Sequence, residues 1–240
     1  MNSIHFLHGF LGSPNDWSIF NDDLINHSFF FHSIADYMQP KKQNDKTHFD
    51  SWVNNFNSHI SKEKNTKKNI LVGYSLGGRL ALHSLASSNF WNAAIIISAN
   101  PGLINEHEKK IRIKTDNEWA NRFKNEKWEN VIKAWNSQSV FSNSQFSINR
   151  KENTFCKAEI SKMLKNYSLG KQENLRNKIK LLNIPILWLA GEKDPKYVNI
   201  AYEMQELNKN IALQIIPNAG HRVPWENPQE FKSILHNFQV

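Results

Sequence analysis

Residues Asn69 to Leu82 read NILVGYSLGGRLAL. The apolar run Ile70-Leu71-Val72 leads into Gly73-Tyr74-Ser75-Leu76-Gly77-Gly78, and apolar residues at helical spacing follow, so the stretch predicts strand, sharp turn and helix. This is the pattern of a nucleophile elbow. Gly73 and Gly77 flank the serine because a turn this tight brings backbone segments together where a Cβ would collide. Ser75 is left at the tip in a strained conformation, and the helix that starts beside it aims its first N–H groups at whatever negative charge develops there.

Outward from the elbow, the chain alternates strand and helix. Ser3 to His8 and Phe29 to Ala35 read as strands, and His8-Gly9-Phe10-Leu11-Gly12-Ser13-Pro14 as a turn-rich loop. Asn15 or Asp16 is placed to cap a short helix through about Ile25. Pro40 to Thr47 is polar and loop-like. In His48 to Ile60, the residues Phe49, Trp52, Val53, Phe56 and Ile60 mark an amphipathic helix, and the lysine-rich stretch from Lys62 to Lys68 connects it to the elbow strand. Past the elbow, Ala93 to Ser98, Ile184 to Ala190 and Ile211 to Ile216 are strand-like, with helices expected over Tyr197 to Leu207 and Pro228 to Phe238. Pro101 to Ile179 carries no strand signal but several charged, Trp-rich helical patterns, among them Trp119, Phe123, Trp128, Ile132 and Trp135. The expectation is a mostly parallel sheet flanked by helices, with residues 1–100 and 181–240 forming an α/β core and 101–180 an inserted helical cap.

Composition narrows the class. With 240 residues, 40% apolar and 12% aromatic, the chain can bury one large core. No stretch reaches transmembrane length, and Met1 runs straight into a strand-like segment with no signal-peptide pattern. Cys156 is the only cysteine, which excludes an intrachain disulfide and CxxC chemistry and suggests a cytoplasmic setting. The net charge of +8 sits in one place: residues 101–180 hold 17 Lys and Arg against 9 Asp and Glu, and the remainder is balanced at 13 and 13. On charge alone this basic segment suits an anionic small molecule, a nucleic acid or an anionic membrane surface, or is simply solvated. No aromatic-basic repeat or recognition motif supports nucleic acid, and nothing supports membrane insertion. Neither a monomer nor a homo-oligomer is selected.

Three residues fall where strands end, the edge at which open parallel sheets bind ligands: Ser75, Asp194 in Gly191-Glu192-Lys193-Asp194, and His221 in Asn218-Ala219-Gly220-His221. A serine hydroxyl needs an adjacent base, and an imidazole base needs a carboxylate to fix its tautomer. The order Ser, Asp, His is that of an α/β-hydrolase triad, so these are the candidate catalytic residues. The backbone N–H groups of Leu76 and Phe10 are the candidate oxyanion-hole donors. His5 and His8, an odd number of residues apart on a strand, point to opposite faces, and no metal site is expected. Arg79 lies one helical turn from Ser75, where a buried guanidinium needs either an acidic side chain or a substrate carboxylate.

These residues and others resemble one family. LHGFLGSPNDW (Leu7 to Trp17), GYSLGGRLAL (Gly73 to Leu82), PGL (Pro101 to Leu103), the run Arg112, Asp116, Trp119, Ala120, Arg122, Phe123, then SLGKQ with Leu175, GEKD and AGHxxxxENP are similar to the 2-succinyl-6-hydroxy-2,4-cyclohexadiene-1-carboxylate synthase family of menaquinone biosynthesis. The likeness spans almost the whole chain. It implies the α/β-hydrolase fold and a cofactor-free lyase that eliminates pyruvate from an enolpyruvyl-bearing cyclohexene precursor. It also implies Arg79, Arg112 and Arg150 as carboxylate-binding residues, and Tyr74 and Trp135 as pocket residues. Two positions depart from the family pattern: Asp36-Tyr37-Met38-Gln39-Pro40 replaces a DxPGHG turn, and Pro224 stands where a second histidine is common. A serine esterase, thioesterase or C–C bond hydrolase with Ser75 as covalent nucleophile would use the same triad, so the triad leaves lyase and hydrolase both open.

Overall fold

A computed structural model describes residues 2–23, 27–62, 68–142, 144, 146 and 148–238. Six strands form one all-parallel sheet in the order β2-β1-β3-β4-β5-β6: β1 (Asn2–Leu7), β2 (His27–His32), β3 (Asn69–Tyr74), β4 (Trp91–Ile97), β5 (Ile186–Gly191) and β6 (Ile211–Ile216). Side chains of β3 alternate between the two faces of the sheet: Leu71 joins the core under one face, and Ile70, Val72 and Tyr74 join the core under the other. Both faces are covered, which is why the strands read as continuous apolar runs.

The first face is covered by α1 (His48–Ile60), α2 (Leu76–Leu85) and α7 (Pro195–Leu207). Thr47 caps α1 through a reciprocal box with Asp50, and Phe49, Trp52, Val53, Phe56 and Ile60 are all buried, as their spacing predicts. The second face carries Trp17 and Phe20 together with Phe231 of α9 (Pro228–Asn237), which follows the short α8 (Val223–Glu226). Between β4 and β5 every regular element among the described residues is helical: α3 (Glu106–Asn125), α4 (Trp128–Asn136), α5 (Lys157–Asn166) and α6 (Arg176–Lys180), with short 3-10 turns between them. Phe123, Trp128, Val131, Ile160 and Leu164 form a separate apolar cluster here, joined by Leu11 from the loop after β1.

The short helix expected after Asn15 or Asp16 is present as a 3-10 helix, Pro14–Asp23, in which the Asp16 carboxylate accepts from Ser13 N–H at 3.3 Å and Ser13 Oγ at 3.2 Å and from Arg150; the expected end at Ile25 lies outside the described residues. One local expectation is corrected. The second strand is His27–His32, and Ile34–Tyr37 leaves the sheet as a 3-10 turn whose first N–H donates to His8 Nε2. Most of the connection between Lys62 and Lys68 also lies outside the described residues. No helix among the described residues is long and apolar enough to cross a membrane.

Buried histidines under the first face make the fold acid-sensitive. His5 Nδ1 is hydrogen-bonded to His32 Nε2 at 3.0 Å, and His32 Nδ1 to the Tyr37 hydroxyl at 2.9 Å. His83 stacks on Phe49, and its Nε2 has no partner among the described residues. Burial lowers the pKa to about 4 for His5 and about 3 for His32 and His83. Below pH 6.5 the unfolded chain therefore binds protons that the folded one refuses. Stability is full above that pH and falls as the pH drops toward 3, by up to about 1.4 kcal/mol per pH unit per histidine. His83→Leu removes one such proton and an unpaired nitrogen. Urea unfolding at pH 7 and pH 4.5 is expected to show a shallower loss for this variant, by about one proton's worth; an unchanged slope contradicts the account.

Candidate active site

The elbow forms as its sequence predicts. Ser75, between β3 and α2, sits at φ 52° and ψ −111°, a conformation that costs a non-glycine residue about 1–3 kcal/mol. It is held there by its N–H donating to the Ile97 carbonyl at 2.9 Å and by its own carbonyl accepting from Arg79 N–H at 3.0 Å. A Cβ on Gly73 would lie 2.7 Å from the Gly77 carbonyl oxygen, and one on Gly77 would run into the backbone of Leu7 and His8.

Asp194 follows β5 at the N-terminus of α7, a position where aspartate ordinarily caps the helix. Here the side chain makes no cap bond, and Oδ2 lies 2.8 Å from His221 Nδ1. His221 comes from the turn after β6, which is tied to the Asp194 loop where Lys193 N–H donates to the Ala219 carbonyl at 2.8 Å. With Nδ1–H donating to the carboxylate, Nε2 is the basic nitrogen, and it faces Ser75 Oγ at 3.2 Å. His221 and Asp194 are almost fully buried. The three residues thus meet in the geometry of a nucleophile or alkoxide with its base and orienting acid.

The loop after β1 closes on the same point. His8 pins it through Nδ1 to the Gly9 carbonyl, 2.8 Å, and through Nε2, which accepts from Ile34 N–H at 3.1 Å. Burial keeps His8 neutral, which suits both bonds. Gly9 packs so tightly that a Cβ there would lie 2.7 Å from Tyr74 Cε1 and 3.4 Å from Ser75 Cβ. Among the described residues Phe10 N–H finds no acceptor, and Leu76, as the first residue of α2, has no intrahelical one. Two free donors therefore flank Ser75.

A cavity of about 330 Å³ opens at Ser75 and His221. Its walls include Phe10, Leu76, Arg79, Arg112 and Trp135. Tyr74 and Arg150 line a smaller adjoining cavity of about 70 Å³, shared with Ser75, Phe10 and Trp135. The three arginines differ in how they are held. Arg150 gives both Nη atoms to Asp16, at 2.7 and 2.6 Å. Arg112 gives its Nε to the two Asp116 oxygens at 2.9 Å, and among the described residues its Nη atoms have no acceptor. Arg79 is buried, with Nε donating to Gln172 Oε1 at 2.5 Å and Nη2 to the Tyr167 carbonyl at 2.7 Å. Of the two partners open to it in sequence, the acidic side chain is absent among the described residues. Burial, with Arg112 nearby, pushes the Arg79 pKa below its ordinary value, the signature of a guanidinium short of negative charge.

The serine aminopeptidase S33 family profile matches residues 6–228. A 2-succinyl-6-hydroxy-2,4-cyclohexadiene-1-carboxylate synthase from Serratia proteamaculans is 30% identical, with 98% of this chain and 92% of that one covered. A Haemophilus influenzae protein provisionally given the same name is 34% identical over 99% of this chain and 97% of its own. The structure of MenH from S. aureus superposes with a TM-score of 0.85 at 25% identity, covering 98% of this chain and 91% of that one. This chain is an α/β-hydrolase of the 2-succinyl-6-hydroxy-2,4-cyclohexadiene-1-carboxylate synthase family.

Within this synthase family member, some cavity residues were not singled out from sequence. Tyr197 packs its ring 4.6 Å from that of His221, and its place three residues after Asp194 on the first turn of α7 was the available signal. Gln172 was visible only as part of the SLGKQ motif; its partnership with Arg79 spans 93 residues and leaves no local trace. The tight seat of Gly9 yields a prediction. Gly9→Ala pushes Phe10 N–H away from Ser75, because Tyr74 is itself wedged against Trp225 and His221. A loss in kcat of about 10–100-fold is expected with little change in KM or in far-UV circular dichroism; wild-type kcat in this variant removes Phe10 from the oxyanion hole.

Proposed function

We propose that the chain eliminates pyruvate from 2-succinyl-5-enolpyruvyl-6-hydroxy-3-cyclohexene-1-carboxylate, giving 2-succinyl-6-hydroxy-2,4-cyclohexadiene-1-carboxylate in menaquinone biosynthesis, with the Ser75-His221-Asp194 triad acting as a base. Family membership supports the reaction class. The observation that carries the assignment over a generic hydrolase is Arg79, a buried guanidinium one turn from Ser75 held by an amide and a carbonyl and by no carboxylate among the described residues.

In this mechanism His221 Nε2 takes the Ser75 Oγ proton while Asp194 stabilises the imidazolium. The Ser75 alkoxide removes the proton α to the succinyl ketone, and the electron pair moves onto the ketone oxygen, which receives hydrogen bonds from Phe10 and Leu76 N–H. The enolate then re-forms the ketone and drives electrons through the ring to break the C–O bond to the enolpyruvyl group. The leaving group departs as enolpyruvate, which takes up at carbon the proton that the His221 imidazolium gives up, so pyruvate is released and the triad returns to its starting state. Arg79 and Arg112 hold substrate carboxylates, for which the planar two-bond fork of arginine is suited. No acyl-enzyme forms. The partner is thus an anionic small molecule, and a cytoplasmic setting, resting on the lone Cys156, belongs to the same proposal.

The deciding experiment incubates pure protein with the enolpyruvyl precursor and couples pyruvate release to lactate dehydrogenase. One pyruvate per substrate is expected, none with Ser75→Ala, and an intact mass during turnover equal to that of the free protein. An acyl group trapped on Ser75 by this substrate assigns the chain to the covalent hydrolases instead.

The carboxylate clamp has its own test. Arg79→Lys keeps the charge but loses the planar fork, and kcat/KM is expected to fall by about 10–100-fold, the worth of one or two charge-assisted hydrogen bonds at about 1.5–3 kcal/mol each. Arg112→Ala is expected to cost at least as much, and a neutral ester of similar shape should sense neither change. Unchanged kcat/KM for the anionic substrate in both variants would falsify the clamp.

A further inference from the structure

His221 lies in a turn between β6 and α8 that has no regular structure of its own, yet its imidazole must stay aligned with both Ser75 and Asp194. The bond to Asp194 fixes one point of the ring, and the Lys193 N–H to Ala219 carbonyl bond ties the turn two residues before it. Glu226 adds a restraint at the residues immediately flanking the base. The N–H groups on the two sides of His221, those of Gly220 and Arg222, both donate to the Glu226 carboxylate, Gly220 to Oε2 and Arg222 to Oε1 at 3.2 Å. Oε1 also accepts from Ser144 Oγ at 2.5 Å, so the same carboxylate reaches the segment between β4 and β5.

Arg222 makes a second connection to that segment. Its Nη1 donates to the Phe146 carbonyl and its Nη2 to Asn136 Oδ1, each at 2.6 Å, and its guanidinium lies 4.0 Å from the Phe141 ring centroid. Phe141 in turn meets the His221 ring edge-on, with centroids 5.7 Å apart. Arg222 directly, and Gly220 by way of Glu226, are thus anchored through charged hydrogen bonds to groups more than seventy residues away. Such bonds are the strong kind, and a mostly buried guanidinium without them would be costly.

We propose that Arg222 and Glu226 are positioning residues: they fix the backbone of His221 and dock it onto Asn136, Phe141, Ser144 and Phe146, so that the base is aligned only while that contact is made. The inference rests on His221 being the base of the proposed reaction. A displacement of well under 1 Å at Nε2 is enough to lower the rate substantially.

The test compares Arg222→Met, Arg222→Lys, Glu226→Gln and Ser144→Ala in the full chain. Two readouts are used: steady-state kinetics with the enolpyruvyl precursor, and the rate at which a neutral aryl phosphonate labels Ser75, which needs His221 but not the physiological substrate. Arg222→Met and Glu226→Gln are expected to lower kcat and the labelling rate in parallel by about 10–100-fold, with KM within about threefold. Arg222→Lys, which can still reach one acceptor, recovers part of the loss, and Ser144→Ala costs about 3–10-fold. Added to His221→Ala, Arg222→Met changes nothing further, because its effect passes through the imidazole. Wild-type labelling rates in folded Arg222→Met and Glu226→Gln overturn the proposal. So does a raised KM at unchanged kcat, which would make Arg222 a substrate contact. If the Met and Gln variants do not fold, Arg222→Lys and Ser144→Ala decide by the same rates. If wild-type protein releases no pyruvate, the lyase reading fails while the labelling series still judges the positioning.

Discussion

The backbone contact between Gly77 and the end of β1 is the constraint on which the site depends. Only a residue without a Cβ can bring the first turn of α2 against the carbonyls of Leu7 and His8, and that approach sets the sharpness of the turn that carries Ser75. It also fixes where the loop after β1 begins, and therefore where Phe10 N–H points. Ser75, the Leu76 N–H and Arg79 are consequently located by one short piece of chain that also seats the loop carrying Phe10, and the positive φ of Ser75 is the strain that this compactness imposes. The ladder bonds of a sheet whose central strands are buried on both faces hold that strain in place.

Charge in this protein acts locally, in spite of its conspicuous total. The basic excess between residues 101 and 180 is spread over a solvated surface, where Lys109, Arg122, Lys157 and Lys178 each face a glutamate. Exposed pairs of this kind contribute little. The two guanidiniums in the larger cavity are different: Arg112 is tied to Asp116 by its Nε, and Arg79 is held by the Gln172 amide, the Tyr167 carbonyl and the face of Phe49. A buried cation satisfied by neutral acceptors retains most of its field, which is why the proposed anionic substrate is assigned to these two guanidiniums and not to the surface charge.

The parts of this architecture legible in sequence are those encoded locally. The elbow, the amphipathic α1, the strand order along the chain and the succession of Ser75, Asp194 and His221 all follow from spacing within a few residues. What escaped depends on partners far apart. The Asp16 carboxylate is engaged by both Nη atoms of Arg150, 134 residues on, a pairing that no local signal announces. The second strand ends at His32, short of its apolar pattern, because His8 reaches across to the N–H of Ile34. Arg79 could be flagged as a buried charge, yet nothing near it in sequence points to Gln172 or Tyr167.

The triad itself is assembled from both kinds of information. Ser75 owes its position to a local turn that its own sequence specifies, whereas His221 stands in an irregular turn whose geometry comes from Glu226, five residues later, and from side chains between β4 and β5. A base held this way can be aligned with a rigid nucleophile without being part of the same rigid element. The arrangement places the least constrained backbone of the site under the control of the segment that also walls the cavity. Phe141 shows the consequence most directly, since one ring stacks under Arg222, borders the cavity and touches the imidazole. The proposed alignment of the base and the wall of the cavity therefore share a side chain, contributed by the helical segment between β4 and β5.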